Sequence, residues 1–143
     1  MTNINDLVSN FDPQLKLDLV EVDTIHQEFL HLVEQATKAK GLEFADIFKN
    51  LLAHTQAHFS GEEENMKKIG HGSMLEHISD HQRILGDMSR FNDKVQVGRT
   101  QMARAWMTDS LLQWFDTHVK TMDSALAVDL KKHLHKDSIT ESA

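Results

Sequence analysis

Ten histidines in a 143-residue chain that has no cysteine are the groups best placed to do chemistry, and helical spacing puts several of them where apolar residues belong. His26 falls between Val22 and Phe29 or Leu30, on the interior stripe of its segment. His58 and Glu62 continue the row from Leu51 and Thr55 to Met66 and Ile69; His77 and His81 stand in line with Met74, Leu85 and Met88. His118 lies one turn from Phe115 and Met122, with Asp123 just after it. Burying five imidazoles and two carboxylates without partners would cost roughly 1–3 kcal/mol for each neutral group and more for a charge. A bound cation removes that cost. Two carboxylates can bridge a pair of cations while five imidazoles complete unequal shells, so the set suits two octahedral metals better than one tetrahedral zinc. Imidazole combined with carboxylate favours iron among the redox metals.

The elements that must carry these groups are helices. Pro13 is the only proline, tyrosine is absent, and the convincing breaks are Gly41, the stretch Ile69-Gly70-His71-Gly72, and the stretch from Asn92 to Gly98. They divide the chain into expected helices near 19–40, 43–68, 73–92 and 99–134. Short connections make neighbours antiparallel, so the expected fold is all-α, an up-down-up-down four-helix bundle forming one domain over 1–143. An N-terminal arm, 1–18, should lie against the bundle through Phe11, Leu15 and Leu17, and a polar tail, 135–143, should fray. The depths agree as well as the faces. From Gly41, His26 is 15 residues back and His58 is 17 on; from Gly70, Glu62 and His58 are 8 and 12 back, while His77 and His81 are 7 and 11 on. From Gly98, His81 is 17 back and His118 is 20 on, so all seven groups converge on one layer. One pair resists a regular helix: His118 and Asp123, five apart, would diverge by roughly 140°. Either a local π turn or approach from opposite flanks is required, and a regular helix with Asp123 in solvent would contradict the site.

Composition narrows the function classes. With 15 Lys and Arg against 22 Asp and Glu, a net charge of -7 and scattered basic residues, nucleic acid is not an expected partner. The lack of cysteine removes thiolate metal sites and cysteine nucleophiles. The longest unbroken apolar run is Ala125-Leu126-Ala127-Val128, so neither a signal peptide nor a membrane span is expected, and the expected location is the cytoplasm. A zinc protease would need His-Glu-x-x-His, but Ile78 follows His77; a ferritin-like oxidase would need two Glu-x-x-His motifs, and only Glu28-Phe29-Leu30-His31 fits.

His26 preceded by Asp23, then His58-Phe59-Ser60-Gly61-Glu62-Glu63, His77-Ile78-Ser79-Asp80-His81, and Trp114-Phe115-Asp116-Thr117-His118-Val119-Lys120-Thr121-Met122-Asp123 together resemble the hemerythrin family in its bacterial, single-domain form. The resemblance covers residues from about 11 to 126. It implies a non-haem di-iron centre in which His77, His81 and His118 hold one iron and His26 and His58 the other. Glu62, Asp123 and a solvent-derived oxo or hydroxo group would bridge them, with an open position for dioxygen on the iron with fewer histidines. Phe59, Trp114 and Phe115 would wall the ligand pocket. Phe11 stands where many bacterial members have Trp, and Phe115 where the family commonly has Leu, a bulkier group that narrows the pocket or redirects gas entry. The implied role is binding rather than catalysis: oxygen storage, delivery to an oxygen-consuming enzyme, or sensing through a signalling partner. The alternative is a di-iron redox enzyme acting on peroxide or nitric oxide, or an iron storage or repair protein.

The remaining polar residues have plainer expected roles. His54 should be a boundary neighbour or an outer partner of the site; His31, His71, His133 and His135 should be solvated; Glu63 and Glu64 should form a charged outer face. Met66, Met74, Met88 and Met122 should fill the core.

Overall fold

A computed structural model describes residues 3–142, with side chains through residue 135, and among them every regular element is helical. The arm forms two short helices, α1 (Ile4–Ser9) and α2 (Phe11–Leu15). Asn3 starts α1 by accepting the Asp6 N–H at 2.9 Å. Leu7, Phe11 and Leu15 are buried, which is why this segment is folded down onto the bundle instead of extended.

The bundle follows as α3 (Val20–Lys38), α4 (Gly41–Ile69), α5 (Met74–Val95) and a long fourth rod. That rod comprises α6 (Gln101–Trp106), a π segment (Met107–Leu111), α7 (Leu112–His118), a second π segment (Val119–Asp123) and α8 (Ser124–Ser142). In sequence order α3 packs on α4, α4 on α5 and α5 on α6, and α8 returns to α4, the antiparallel up-down-up-down arrangement.

Most boundaries fall within two or three residues of those expected, and the departures have causes. Helix α5 passes Asn92 and runs to Val95 because Val95 is 1% exposed, a burial that outweighs the small helix penalty of asparagine. Gln96 then donates to the Ala45 carbonyl at 2.9 Å and ties that end to α4. The last helix does not stop at Leu134 but continues through Ser142, since no Gly or Pro follows Gly98 to end it. The tail side chains from residue 136 lie outside the described residues.

The two halves of the bundle differ. Near the turn at residues 39–41, Val33, Phe44, Phe48, Leu51, Met88 and Met107 are completely buried, and this end is apolar. Arg104 closes it, donating to the Ala39 carbonyl at 2.6 Å with its guanidinium 3.9 Å from the centre of the Phe44 ring. The buried polar residues belong to the other half. Asp23 is one of them, and its role is structural: it accepts the N–H groups of Leu17 at 2.8 Å and Asp18 at 3.1 Å, fixing the entry into α3.

Candidate metal centre

All four bundle helices contribute to one buried polar layer. His26 comes from α3, His58 and Glu62 from α4, His77 and His81 from α5, and His118 and Asp123 from the fourth rod. The last pair is brought together by the π segment Val119–Asp123, where the wider turn lets residues five apart share a face. Asp123 is 3% exposed, with Oδ1 3.1 Å from His118 Nε2.

The two carboxylates divide their oxygens between two groups of histidines. Glu62 Oε1 lies 2.8 Å from His77 Nε2 and 3.1 Å from His81 Nε2, while its Oε2 lies 3.3 Å from His58 Nε2. Asp123 Oδ1 lies 3.0 Å from His77 Nε2, and its Oδ2 lies 3.1 Å from His26 Nε2. Two clusters that could hold a metal ion result: Glu62, His77, His81, His118 and Asp123 in one, and His26, His58, Glu62 and Asp123 in the other, with the candidate ligand atoms of each within 4.8 Å of one another.

Several close contacts lack the alignment of hydrogen bonds. His26 Nε2, His81 Nε2, Glu62 Oε1 and Asp123 Oδ1 are buried and have no hydrogen-bond partner, despite their short separations. Buried nitrogen and oxygen atoms crowded together without aligned hydrogen bonds are what ligands around a shared cation present, so this donor set fits a metal.

In the metal-free chain the same crowding controls protonation. Burial works against a charge on His77, but the Asp123 and Glu62 carboxylates, 3.0 and 2.8 Å from its Nε2, overcome it and raise the imidazole to about 9. Burial also opposes charge on Glu62 and Asp123, yet the histidines crowded around them keep both carboxyls below their ordinary range. His58 goes the other way: burial lowers it to about 4, leaving a neutral imidazole.

The match to known proteins follows the geometry. The family model for the hemerythrin HHE cation binding domain covers residues 18–135, the span that contains all seven converging residues. The chain belongs to the hemerythrin family. It is similar to a bacteriohemerythrin of Ralstonia nicotianae (strain ATCC BAA-1114 / GMI1000), 25% identical over 116 residues, covering 81% of this chain and 84% of that protein. A bacteriohemerythrin of Stenotrophomonas maltophilia (strain R551-3) is 21% identical over 124 residues, covering 82% and 80%. A crystal structure described as a leucine-to-phenylalanine mutant shares the fold at a TM-score of 0.75, with 20% identity over 82% of this chain and 92% of the solved one. The hemerythrin-family assignment makes this a metal-binding protein, and no helix among the described residues is long and apolar enough to cross a membrane.

Outside this buried polar layer, carboxylates orient the imidazoles. Asp80 Oδ2 accepts from His118 Nδ1 at 2.7 Å and from Trp114 Nε1 at 2.8 Å, and Glu63 Oε2 accepts from His81 Nδ1 at 2.9 Å. Each contact holds the proton on Nδ1 and turns the Nε2 lone pair inward. Burial pushes the Asp80 carboxyl up, but the bonds from Trp114 and His118 hold it below its ordinary value, so it stays an acceptor. Sequence reasoning gave Asp80 no role and placed Glu63 on a solvated face; Glu63 instead turns toward α5, its side chain 26% exposed. The available signal was an acid immediately adjacent in sequence to a candidate ligand, Asp80 before His81 and Glu63 after Glu62, able to reach a neighbouring helix. Asp80→Ala is expected to leave two donors unsatisfied and cost about 1–3 kcal/mol in the metal-free protein, measured by urea denaturation.

The expected pocket walls each lie against the layer. Phe59 stacks on His81 with centroids 3.7 Å apart, Trp114 stacks on His118 at 4.6 Å, and Phe115 meets the His26 ring edge-on at 5.6 Å while stacking on Phe29. A cavity of about 150 Å³ opens on a different side, between α3, α4 and α8, where Val22, Ile25, Ala57, Leu126 and Ala127 surround His58, Glu62 and Asp123. Among the other histidines, His54 pairs with Glu28 at 3.1 Å away from the centre, and His31 and His135 are exposed. His71, expected in solvent, is buried, and His133 is half-buried. Met66 and Met88 are fully buried, and Met74 and Met122 partly so, as core-filling residues are.

Proposed function

We propose that this chain is a dioxygen-binding protein with a non-haem di-iron centre, one domain spanning 1–143. His77, His81 and His118 would hold one iron, His26 and His58 the other, and Glu62 and Asp123 would bridge them. The observation that carries this reading is the division of each carboxylate: one oxygen toward the three-histidine group, the other toward the two-histidine group. A single-metal site would not need that arrangement. When bound, two ferrous ions supply reversible two-electron chemistry toward dioxygen.

The protein's share is orientation and exclusion of water. Asp80 and Glu63 fix the inward lone pairs of His118 and His81, and Phe59, Trp114 and Phe115 cover three of the imidazole rings. The mainly aliphatic cavity beside His58 is small enough to favour a diatomic or similarly compact neutral ligand. Storage, delivery and sensing all use these same parts. A chain without cysteine also suits a reducing cytoplasm.

Anaerobic loading with iron(II), followed by iron analysis and optical spectra through cycles of air and inert gas, tests the reading. Two irons per chain and a charge-transfer band that appears in air and disappears under inert gas are expected. A centre that oxidises once and stays oxidised would replace oxygen carriage with redox catalysis or iron storage.

A further inference from the structure

His71 is the one deeply buried histidine that the metal reading leaves unused. It sits directly after the Gly70 that ends α4 in the left-handed conformation, φ 65°. The Gly70 N–H bonds the Lys67 carbonyl and the His71 N–H bonds the Met66 carbonyl at 3.0 Å, a closure that fixes the His71 backbone beneath the site. Its ring is held as well: Nδ1 lies 2.5 Å from Asp129 Oδ2 on α8, and the His71 side chain is 5% exposed. That bond places the proton on Nδ1 and leaves Nε2 as an acceptor, yet Nε2 is buried with no partner.

The neighbouring ring has the complementary deficit. His77 Nε2 faces Glu62 and Asp123, so as a metal ligand it would keep its proton on Nδ1, and that atom is also buried with no partner. The two ring centroids lie 6.4 Å apart, too far for a direct bond between ring nitrogens and within reach of two hydrogen bonds of about 2.9 Å each through a water. The other two histidines of the same cluster already end on carboxylates, His118 on Asp80 and His81 on Glu63.

We propose that His71 is a positioning residue for the metal ligand His77, held by Asp129 and acting through one bridging water. The water accepts from His77 Nδ1–H and donates to His71 Nε2, and His71 Nδ1–H donates to the Asp129 carboxylate. All three histidines of the larger cluster would then be oriented by an acid, two directly and the third by relay. This inference rests on His77 being a ligand, and its test keeps the two ideas apart.

Wild type, His71→Phe, His71→Gln and Asp129→Ala are loaded anaerobically with iron(II), and release to excess chelator is timed, with urea midpoints of the metal-free forms recorded alongside. Release from His71→Phe is expected to be roughly 10–100-fold faster than wild type, the usual cost of losing an outer partner of a ligand. His71→Gln should recover most of the loss, because its amide can accept from the water and donate to Asp129. Asp129→Ala, an exchange at a half-exposed position, should fall between. Long-range 1H–15N spectra of the zinc-loaded protein should show the His71 proton on Nδ1. Wild-type release from His71→Phe, release from His71→Gln as fast as from His71→Phe, or a His71 proton on Nε2 overturns the positioning role. A wild-type chain that takes up no iron overturns the metal reading, and this inference with it.

Discussion

Glu62→Gln is expected to reduce iron uptake from two ions per chain to one or none while leaving the helical far-ultraviolet spectrum unchanged. The substitution preserves side-chain volume but replaces one carboxylate oxygen with an NH2 group, which is a donor and no ligand. Glu62 faces three histidines, His77 and His81 through one oxygen and His58 through the other, so either orientation of the amide removes a ligand from one cluster. The loss should exceed the roughly 10–100-fold effect of removing an outer partner. Glu64→Gln, an exchange of an exposed acid two residues away, is the control and should bind two ions. Iron per chain after gel filtration decides the matter; a Glu62→Gln protein that retains two ions would show that the carboxylate is no bridge.

Metal removal is expected to make stability depend on pH in a defined direction. Without cations the buried carboxylates are balanced by protons, chiefly at His77, whose folded value is about 9 against an ordinary 6.5. A histidine raised on folding stabilises the folded state fully below 6.5, and that contribution is lost as pH rises through about 9. At about 1.36 kcal/mol per unit the contribution is on the order of 3 kcal/mol. The opposite shift of His58, to about 4, acts only at lower pH: a neutral buried histidine costs stability as the solution falls below 6.5. Urea midpoints of the metal-free protein should therefore decline from pH 6.5 to 9.5, and His77→Gln should flatten that decline. The metal-loaded protein should be more stable throughout, since a ligand bound only by the folded state adds about 4 kcal/mol at a thousandfold excess over its dissociation constant. Metal uptake near neutral pH should release protons, His77 giving up its own.

Much of this centre was legible because two independent periodicities intersect in it. Helical spacing put His26, His58, Glu62, His77, His81 and His118 on interior faces, and distances from Gly41, Gly70 and Gly98 put them at one height. The misfit of His118 and Asp123 on a regular helix was itself informative, since it left a local π turn or approach from opposite flanks, and the structure has the first, the π segment Val119–Asp123. The other π segment, Met107–Leu111, carries no such polar pair and left no comparable trace in the sequence; its effect is on apolar register, with Met107 and Leu111 both fully buried.

Contacts between helices were harder to read. Asp80 lies next to His81 in sequence but serves His118, 38 residues away, and His71 meets Asp129 across 58 residues. A residue's own helical face gives no indication of such partners, and a histidine between two glycines reads as a solvated turn. The arm illustrates the same point: Leu7, Phe11 and Leu15 marked it as adherent, but its two short helices depend on the surface of α3 against which α1 packs.

The central claim is that seven residues hold two metal ions, and anomalous diffraction at the iron edge from crystals of the iron-loaded protein tests it most directly. Two peaks are predicted, one beside His77, His81 and His118 and one beside His26 and His58, with Glu62 and Asp123 contributing an oxygen to each. A single peak, or two peaks without both carboxylates between them, would contradict it.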